Sequence, residues 1–365
     1  MPVELLGKSQ PELRAWMASL GQPAYRGAQV YHALYAERRF DFASMTNLPA
    51  VLRERLAREA AFTLPRVVRK YHSADGSVRY LLPLGAIAVD PSSAAAAGAA
   101  AARAATVETV FMPSDGRQTI CISTQAGCAV DCKFCLTATL GLVRNLTAGE
   151  ILGQVLVALE ENCDRLAPRT NVVLMGQGEP LLNYEPTMAA VRILLDPNAL
   201  ALSPRHVTLS TSGIVPGIDR LAQEKVRPKL AVSLNASNDE QRDAIMPINR
   251  KYPIAALLQA CRRYPLRPWE RLTFEYVMLG GVNDAPEDAR RVVRLLAGLR
   301  AKVNLIPWNP GELPYRSPES AALEEFRRIL AEKDVPVFVR YSRGQDIFAA
   351  CGQLAVIESA IESRA

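Results

Sequence analysis

At 365 residues, 49% of them hydrophobic and 22% charged, the chain is long enough for one large α/β domain plus a smaller one around a substantial core. No charged-then-apolar leader opens it and no run of 18 apolar residues follows, so neither secretion nor membrane insertion is indicated and a cytoplasmic protein is expected. A net charge of +6 is modest for a nucleic-acid binder, and seven cysteines suit a reducing compartment better than a disulfide framework.

The first ninety residues read as an accessory domain. Ser9-Gln10-Pro11-Glu12 has the S-x-x-E form of a capping box and opens a helix that Gly21 can end. Further helical stretches are expected near 26–38 and 49–60, then strands over 66–71 and 77–84 joined at Asp75-Gly76, a hairpin turn signal. Residues 1–90 carry 12 Lys+Arg against 8 Asp+Glu. Arg53, Arg55, Arg58, Arg66, Arg69 and Lys70 form a loose basic stretch, either a solvated face or an RNA contact. Residues 91–106 contain ten alanines and nothing to anchor a core, and are expected to be an inserted linker.

From residue 107 to 342 the pattern becomes strand, loop, helix, repeated. Strands are expected over 118–124, 171–176, 206–212, 229–235, 271–279 and 302–308, with 335–341 as a seventh at the edge. Helical stretches such as 147–162 lie between them, and right-handed crossovers would curl six such repeats into a partial TIM-like (β/α)6 barrel. Residues 343–365 form a separate C-terminal segment.

Chemistry gathers at the carboxyl ends of barrel strands. Cys128, Cys132 and Cys135 follow the first strand in a C-x3-C-x2-C spacing. A four-iron cluster held by three thiolates keeps one iron open to a small molecule, which is the signature of radical S-adenosylmethionine (SAM) enzymes. A zinc knuckle is the competing reading, but no Cys or His follows nearby as fourth ligand. Phe134, before the last cysteine, either packs on a cofactor adenine or belongs to the core.

The sequence GQGEP (176–180) follows the second strand, STSG (210–213) ends the third, Ser233-Leu234-Asn235 the fourth and PWNP (307–310) the sixth. Gly178-Glu179 would suit the amino and carboxylate groups of a methionine-like ligand, and Ser210, Ser233 and Asn309 its ribose hydroxyls. Cys121, central in the first strand, and Cys351, in RGQDIFAACGQL, are each a buried core thiol or something more. Cys163 and Cys261, in helical stretches, read as core.

With VETV (107–110), GLVRNLTAGEI (141–151), GEPLLN (178–183), PINR (247–250) and NLIPWNP (304–310) added, the chain closely resembles the adenine-carbon-2 RNA methyltransferases of the RlmN type over nearly its whole length. The resemblance implies that Cys128, Cys132 and Cys135 hold one 4Fe-4S cluster per chain, and that Gly178, Glu179, Ser210, Ser233, Leu234, Asn235 and Asn309 line the SAM pocket. It implies 23S rRNA and tRNA as substrates, flavodoxin or ferredoxin as electron donor, and a monomer. Glu108 would be the proton acceptor, Cys351 the residue methylated during turnover, and Cys121 its partner in a transient disulfide. The family usually shows SLHA where this chain has Ser233-Leu234-Asn235-Ala236, and Asn cannot titrate near neutral pH.

Carbon 2 of adenine is electron-poor, so direct attack on a sulfonium methyl is disfavoured and radical chemistry is required. In the implied mechanism one SAM methylates Cys351, a second is cleaved reductively, and the resulting radical turns the S-methyl group into one that adds to adenine. Glu108 then removes the ring proton, and Cys121 displaces the protein–RNA adduct. A base splayed from its stack favours RNA loops as substrate. Two alternatives stay open: carbon-8 methylation by the same fold, and a non-catalytic RNA-binding protein with a structural cluster.

Overall fold

A computed structural model describes residues 2–85 and 105–354. The alanine-rich stretch therefore lies outside the described residues except for 105 and 106, which begin a strand, as does the C-terminal segment beyond 354.

The chain opens with β1 (Val3–Glu4), α1 (Gln10–Ser19), α2 (Tyr25–Tyr35), α3 (Ala50–Glu59) and β2 (Ala60–Ala61). The Ser9 backbone N–H donates to the Glu12 carboxylate at 2.7 Å, the reciprocal bond expected of a capping box. Leu13, Met17, Leu34 and Leu56 form the inside of this unit, and β1 pairs with β2 to tie its ends together. Gly7 lies against Gly149 on the barrel, and a Cβ at Gly7 would collide with the Gly149 backbone nitrogen. Two glycines thus let the units meet backbone to backbone.

A ten-stranded sheet follows, formed by β3 (Arg69–His72), β4 (Val78–Leu84), β5 (Ala105–Ser114), β6 (Arg117–Cys121), β9 (Thr170–Leu174), β10 (Val207–Thr211), β11 (Lys229–Ser233), β12 (Leu272–Met278), β13 (Ala301–Pro307) and β14 (Val337–Val339). A short hairpin, β7 (Gln125–Gly127) with β8 (Leu142–Asn145), stands apart from it. From β6 to β14 all neighbours are parallel, so the six βα repeats and the seventh edge strand expected from the sequence are present. The expected hairpin also forms, with Gly76 at φ +82° in its turn. It does not belong with the N-terminal helices by hydrogen bonding: β4 pairs antiparallel with β5, and β5 with β6, which extends the main sheet.

Strand alternation decides what faces the lumen. On β12, Phe274, Tyr276 and Met278 pack into the core shared with the helices, whereas Glu275 and Val277 line the lumen. The same alternation turns Cys121, Met175, Ser210, Ser233 and Ile306 inward. Among the described residues no helix is long and apolar enough to cross a membrane.

Candidate active site

Two cavities lie along the lumen. The upper one, of about 160 Å³, gathers the carboxyl ends of the strands. The lower one, of about 500 Å³, runs to their amino ends. Met175, Glu275, Ile306 and Cys351 line both and form the partition between them.

Cys128, Cys132 and Cys135 all line the upper cavity. The loop begins right after β7, where the Cys128 N–H donates to the Gly141 carbonyl at 2.9 Å, and ends with Cys135 as N-cap of α4 (Leu136–Thr139). Burial pushes all three thiols up, Cys128 to about 12, and neighbouring thiols of the loop add to the rise at Cys128 and Cys132. Thiolates gathered in a dry pocket are unfavourable unless a cation takes them. Among the described residues no three such side chains converge as the ligands of a single ion do. Three buried thiols facing one cavity are a donor set that suits a cluster with one open iron. Phe134 also lines this cavity, and its carbonyl accepts the Trp308 indole N–H at 3.1 Å.

Of the residues expected around the cofactor, Gly178, Glu179, Ser210, Ser233, Asn235 and Asn309 line the same cavity. Gly178 has φ +98°, and a Cβ there would lie 2.6 Å from the Gln125 Cβ, so only glycine fits. The Glu179 carboxylate accepts from Ser212 N–H and Oγ, both at 2.7 Å, and from Leu181 N–H at 3.0 Å. Burial nevertheless raises its pKa. Leu234 is different: its side chain belongs to the main core, not to the cavity. Asn235 sits at φ +57°, a left-handed conformation Asn tolerates, accepts the Val277 N–H at 2.8 Å and approaches the Met246 sulfur at 3.2 Å.

The described part of the C-terminal segment, residues 343–354, reaches into the lumen and lines it. Leu136 N–H donates to the Gly352 carbonyl at 2.8 Å, and Gly344 N–H to the Asp75 carboxylate at 3.0 Å, so the segment is strapped between the cluster loop and the hairpin. Asn309, expected at a ribose, donates instead to Ser342 Oγ at 2.9 Å and to the Cys351 carbonyl at 3.1 Å. Phe348 has φ +51°, a strained conformation for an aromatic residue three positions before Cys351. Cys351 is exposed, but to the cavities it lines, and the surrounding protein pushes its thiol up to about 12, with Glu275 and Cys135 adding to the effect of burial. Cys121 is buried and borders only the lower cavity. Its thiol is raised by burial and then by Cys351.

Glu108 lines neither cavity. It is fully buried on β5, ion-paired with Arg79, and its second oxygen lies 3.4 Å from Gln177 Nε2. Val110, two residues on and so on the same face, is the register partner of Cys121. Cys163 corrects its sequence reading: it is exposed, in a turn after α5 (Ala148–Glu160), whereas Cys261 is buried as expected.

Two residues were missed by sequence reasoning. Glu275 accepts the Ser210 hydroxyl at 2.7 Å, and burial raises its pKa. Arg242 is fully buried and ties strand ends together through the Ser212, Ser233 and Leu234 carbonyls at 2.6–3.0 Å. For Glu275 the signal was its inward place in strand alternation; for Arg242 there was none.

Comparison with known proteins agrees with this geometry. Residues 122–296 match the family model described as Radical SAM superfamily, and residues 3–62 that of the ribosomal RNA large subunit methyltransferase N-terminal domain. The chain is 49% identical to a probable dual-specificity RNA methyltransferase RlmN of Koribacter versatilis, over 93% of this chain and 97% of that protein. It is 47% identical to the dual-specificity RNA methyltransferase RlmN of Anaeromyxobacter dehalogenans, over 96% and 91%. A crystal structure of a radical SAM methyltransferase from Sphaerobacter thermophilus superposes with a TM-score of 0.85 at 43% identity, covering 97% of this chain and 99% of the other. Matched from end to end at such identity, and on the same fold, the chain belongs to the RlmN family of radical SAM RNA methyltransferases.

Proposed function

We propose that the protein methylates carbon 2 of adenine in RNA, with 23S rRNA and tRNA as the two substrates, and that Cys351 carries the methyl group. The observation that carries this reading is that Cys351 lines both cavities whereas Cys121 lines only the lower one. A carrier must be reached first by the methyl donor and then by the acceptor. A residue that resolves the adduct needs access only to the acceptor side.

Cys128, Cys132 and Cys135 would hold the cluster, with Gly178, Glu179, Ser210, Ser233 and Asn235 around SAM. Bound there, the two supply an electrophilic methyl group and, after transfer of one electron from a reduced protein donor, a carbon radical. The rest falls to the chain's own groups. Cys351 acts as nucleophile and must first lose its proton, which a neighbouring sulfonium would favour against the burial that holds the thiol up. The Asn309 bond to its carbonyl keeps the segment over the partition.

Glu108 would take the ring proton, and the unpaired electron left on the adduct would pass back to the oxidised cluster, so that the single electron supplied at the start is returned before the adduct is released. The Arg79 pair holds its carboxylate in place, and this pair must loosen for the base to approach. Cys121 would then attack the Cys351 sulfur, forming a disulfide and releasing the methylene carbon with the RNA to be completed as methyl by a proton. That disulfide must be reduced before the next turnover.

The test is mass spectrometry of nucleosides from RNA treated with anaerobically reconstituted enzyme, SAM and a reductant. 2-Methyladenosine is expected. 8-Methyladenosine would reassign the carbon, and cluster-containing protein that never modifies RNA would support a structural role for the cluster.

A further inference from the structure

The lower cavity has a chemistry that methyl donation does not require. Arg117, Arg169, Arg205, Lys229, Lys302 and Arg340 line it, contributed by separate strands and loops from β6 to β14, and among the described residues Glu275 at the partition is the only carboxylate on its wall. Among the described residues none of the six has a carboxylate within salt-bridge distance, although elsewhere ion pairs such as Arg144–Glu150 and Arg291–Asp288 are common. Their bonds are to neutral groups, as between Arg340 and Asn304 Oδ1 at 3.3 Å or Arg169 and the Gly116 carbonyl at 3.3 Å. Burial and the neighbouring cations hold Lys229 and Lys302 below the usual lysine range. Uncompensated like charge of this kind destabilises a fold, and an anionic occupant relieves it.

The surroundings narrow the choice of anion. Arg205 stacks on Trp269 at 4.2 Å, and half-exposed Phe338 is flanked by Lys302 at 5.7 Å and Arg340 at 5.4 Å. Aromatic faces between cations suit a chain of bases and phosphates more than an isolated phosphate. At its upper end the cavity terminates at Cys121, Cys351 and Glu275.

We propose that the RNA enters from the amino-terminal end of the barrel strands, with its phosphodiester backbone on this ring of cations and the target adenine directed up the lumen to Cys351 and Cys121. The proposal rests on RNA being the substrate. It gives donor and acceptor opposite approaches to one thiol, so that neither has to leave for the other to reach it.

The test uses cluster-loaded protein and a stem–loop RNA with 4-thiouridine beside the target adenine, irradiated anaerobically and mapped by peptide mass spectrometry. Cross-links are expected on peptides containing Lys302, Arg340 or Trp269. Cross-links confined to the upper rim, at Lys133 or residues 312–316, would overturn the route while leaving RNA methylation intact. Absence of RNA binding by the native protein at any salt concentration would overturn the functional reading along with it.

A second arm replaces exposed side chains that should not endanger folding. Arg169→Ala with Arg205→Ala should make the slope of log affinity against log salt shallower by about 1.4, the value for two single-strand phosphates. An unchanged slope would count against the proposal. So would displacement of the RNA by inorganic phosphate at constant ionic strength, which would mark a small-anion site.

Discussion

The two ends of one lumen are built from opposite chemistry. The upper cavity is lined by small or neutral groups, Gly176, Gly178, Ser210, Ser233 and Asn235, with the three loop cysteines and the carboxylates of Glu179 and Glu275. The lower cavity is ringed by cations, and among the described residues Glu275 at the partition is its only carboxylate. Under the proposed mechanism this contrast makes the barrel a conduit with a chemical partition at Cys351, which lines both cavities. Lesions at the upper end should remove radical chemistry altogether, and lesions at the lower end should act through the RNA.

The largest effect is expected at the upper end. Cys128→Ala, Cys132→Ala or Cys135→Ala should remove most cluster absorbance and all cofactor cleavage, because two thiolates do not hold a cubane securely. Full activity of any one of them after anaerobic reconstitution would break the comparison at its root. At Glu108, replacement by Gln should lower turnover by about 10²–10⁴, the usual range for a lost general base, read as methylated adenosine per enzyme.

Away from the lumen, Arg66→Ala with Arg69→Ala should weaken RNA binding and flatten its salt dependence, with cofactor cleavage in the absence of RNA preserved. Equal loss of both would assign the pair a folding role. At the partition, the Glu275 carboxylate helps raise the Cys351 thiol, so Glu275→Gln should lower that pKa and increase the thiolate present at neutral pH. Peptide-level alkylation of Cys351 should still be climbing at about pH 10 in the native protein, and the variant's profile should shift to lower pH. The smallest effect is structural: Asn235→Ala strands the Val277 N–H and should cost about 1–3 kcal/mol in denaturant unfolding.

The same division explains what could be read from sequence. The parallel strands and the cysteine loop were legible because their signals are local, an alternation or a spacing within a dozen residues. β5 was not, since its start at Ala105 merges with the alanine-rich stretch, and VETV stood out as a motif before it stood out as a strand. The β7 and β8 strands, of three and four residues, are too short to show a period. Asn309 lines the upper cavity, yet its bond to the Cys351 carbonyl depends on a chain return forty-two residues later. The cations of the lower cavity were hidden for the same reason: Arg117, Lys229 and Lys302 lie far apart in sequence, and only closure of the sheet brings them around one space. Leu234 is the opposite case: alternation turns its side chain into the core, which leaves only its backbone to border the cofactor pocket expected there.

Cys351 lines both cavities and Cys121 only the lower one, which in the proposed mechanism makes Cys351 the methyl carrier and Cys121 the residue that frees the product. The decisive experiment incubates Cys121→Ala with substrate RNA, SAM and reductant, then separates the products on a denaturing gel. Forming the adduct needs one thiol and releasing it needs two, so the variant should trap RNA on the protein through Cys351. The shifted band should survive denaturation, disappear with ribonuclease, and be absent from the Cys121→Ala, Cys351→Ala double variant. Free methylated adenosine released by Cys121→Ala at the native rate would contradict the account and return Cys121 to the role of a buried strand thiol.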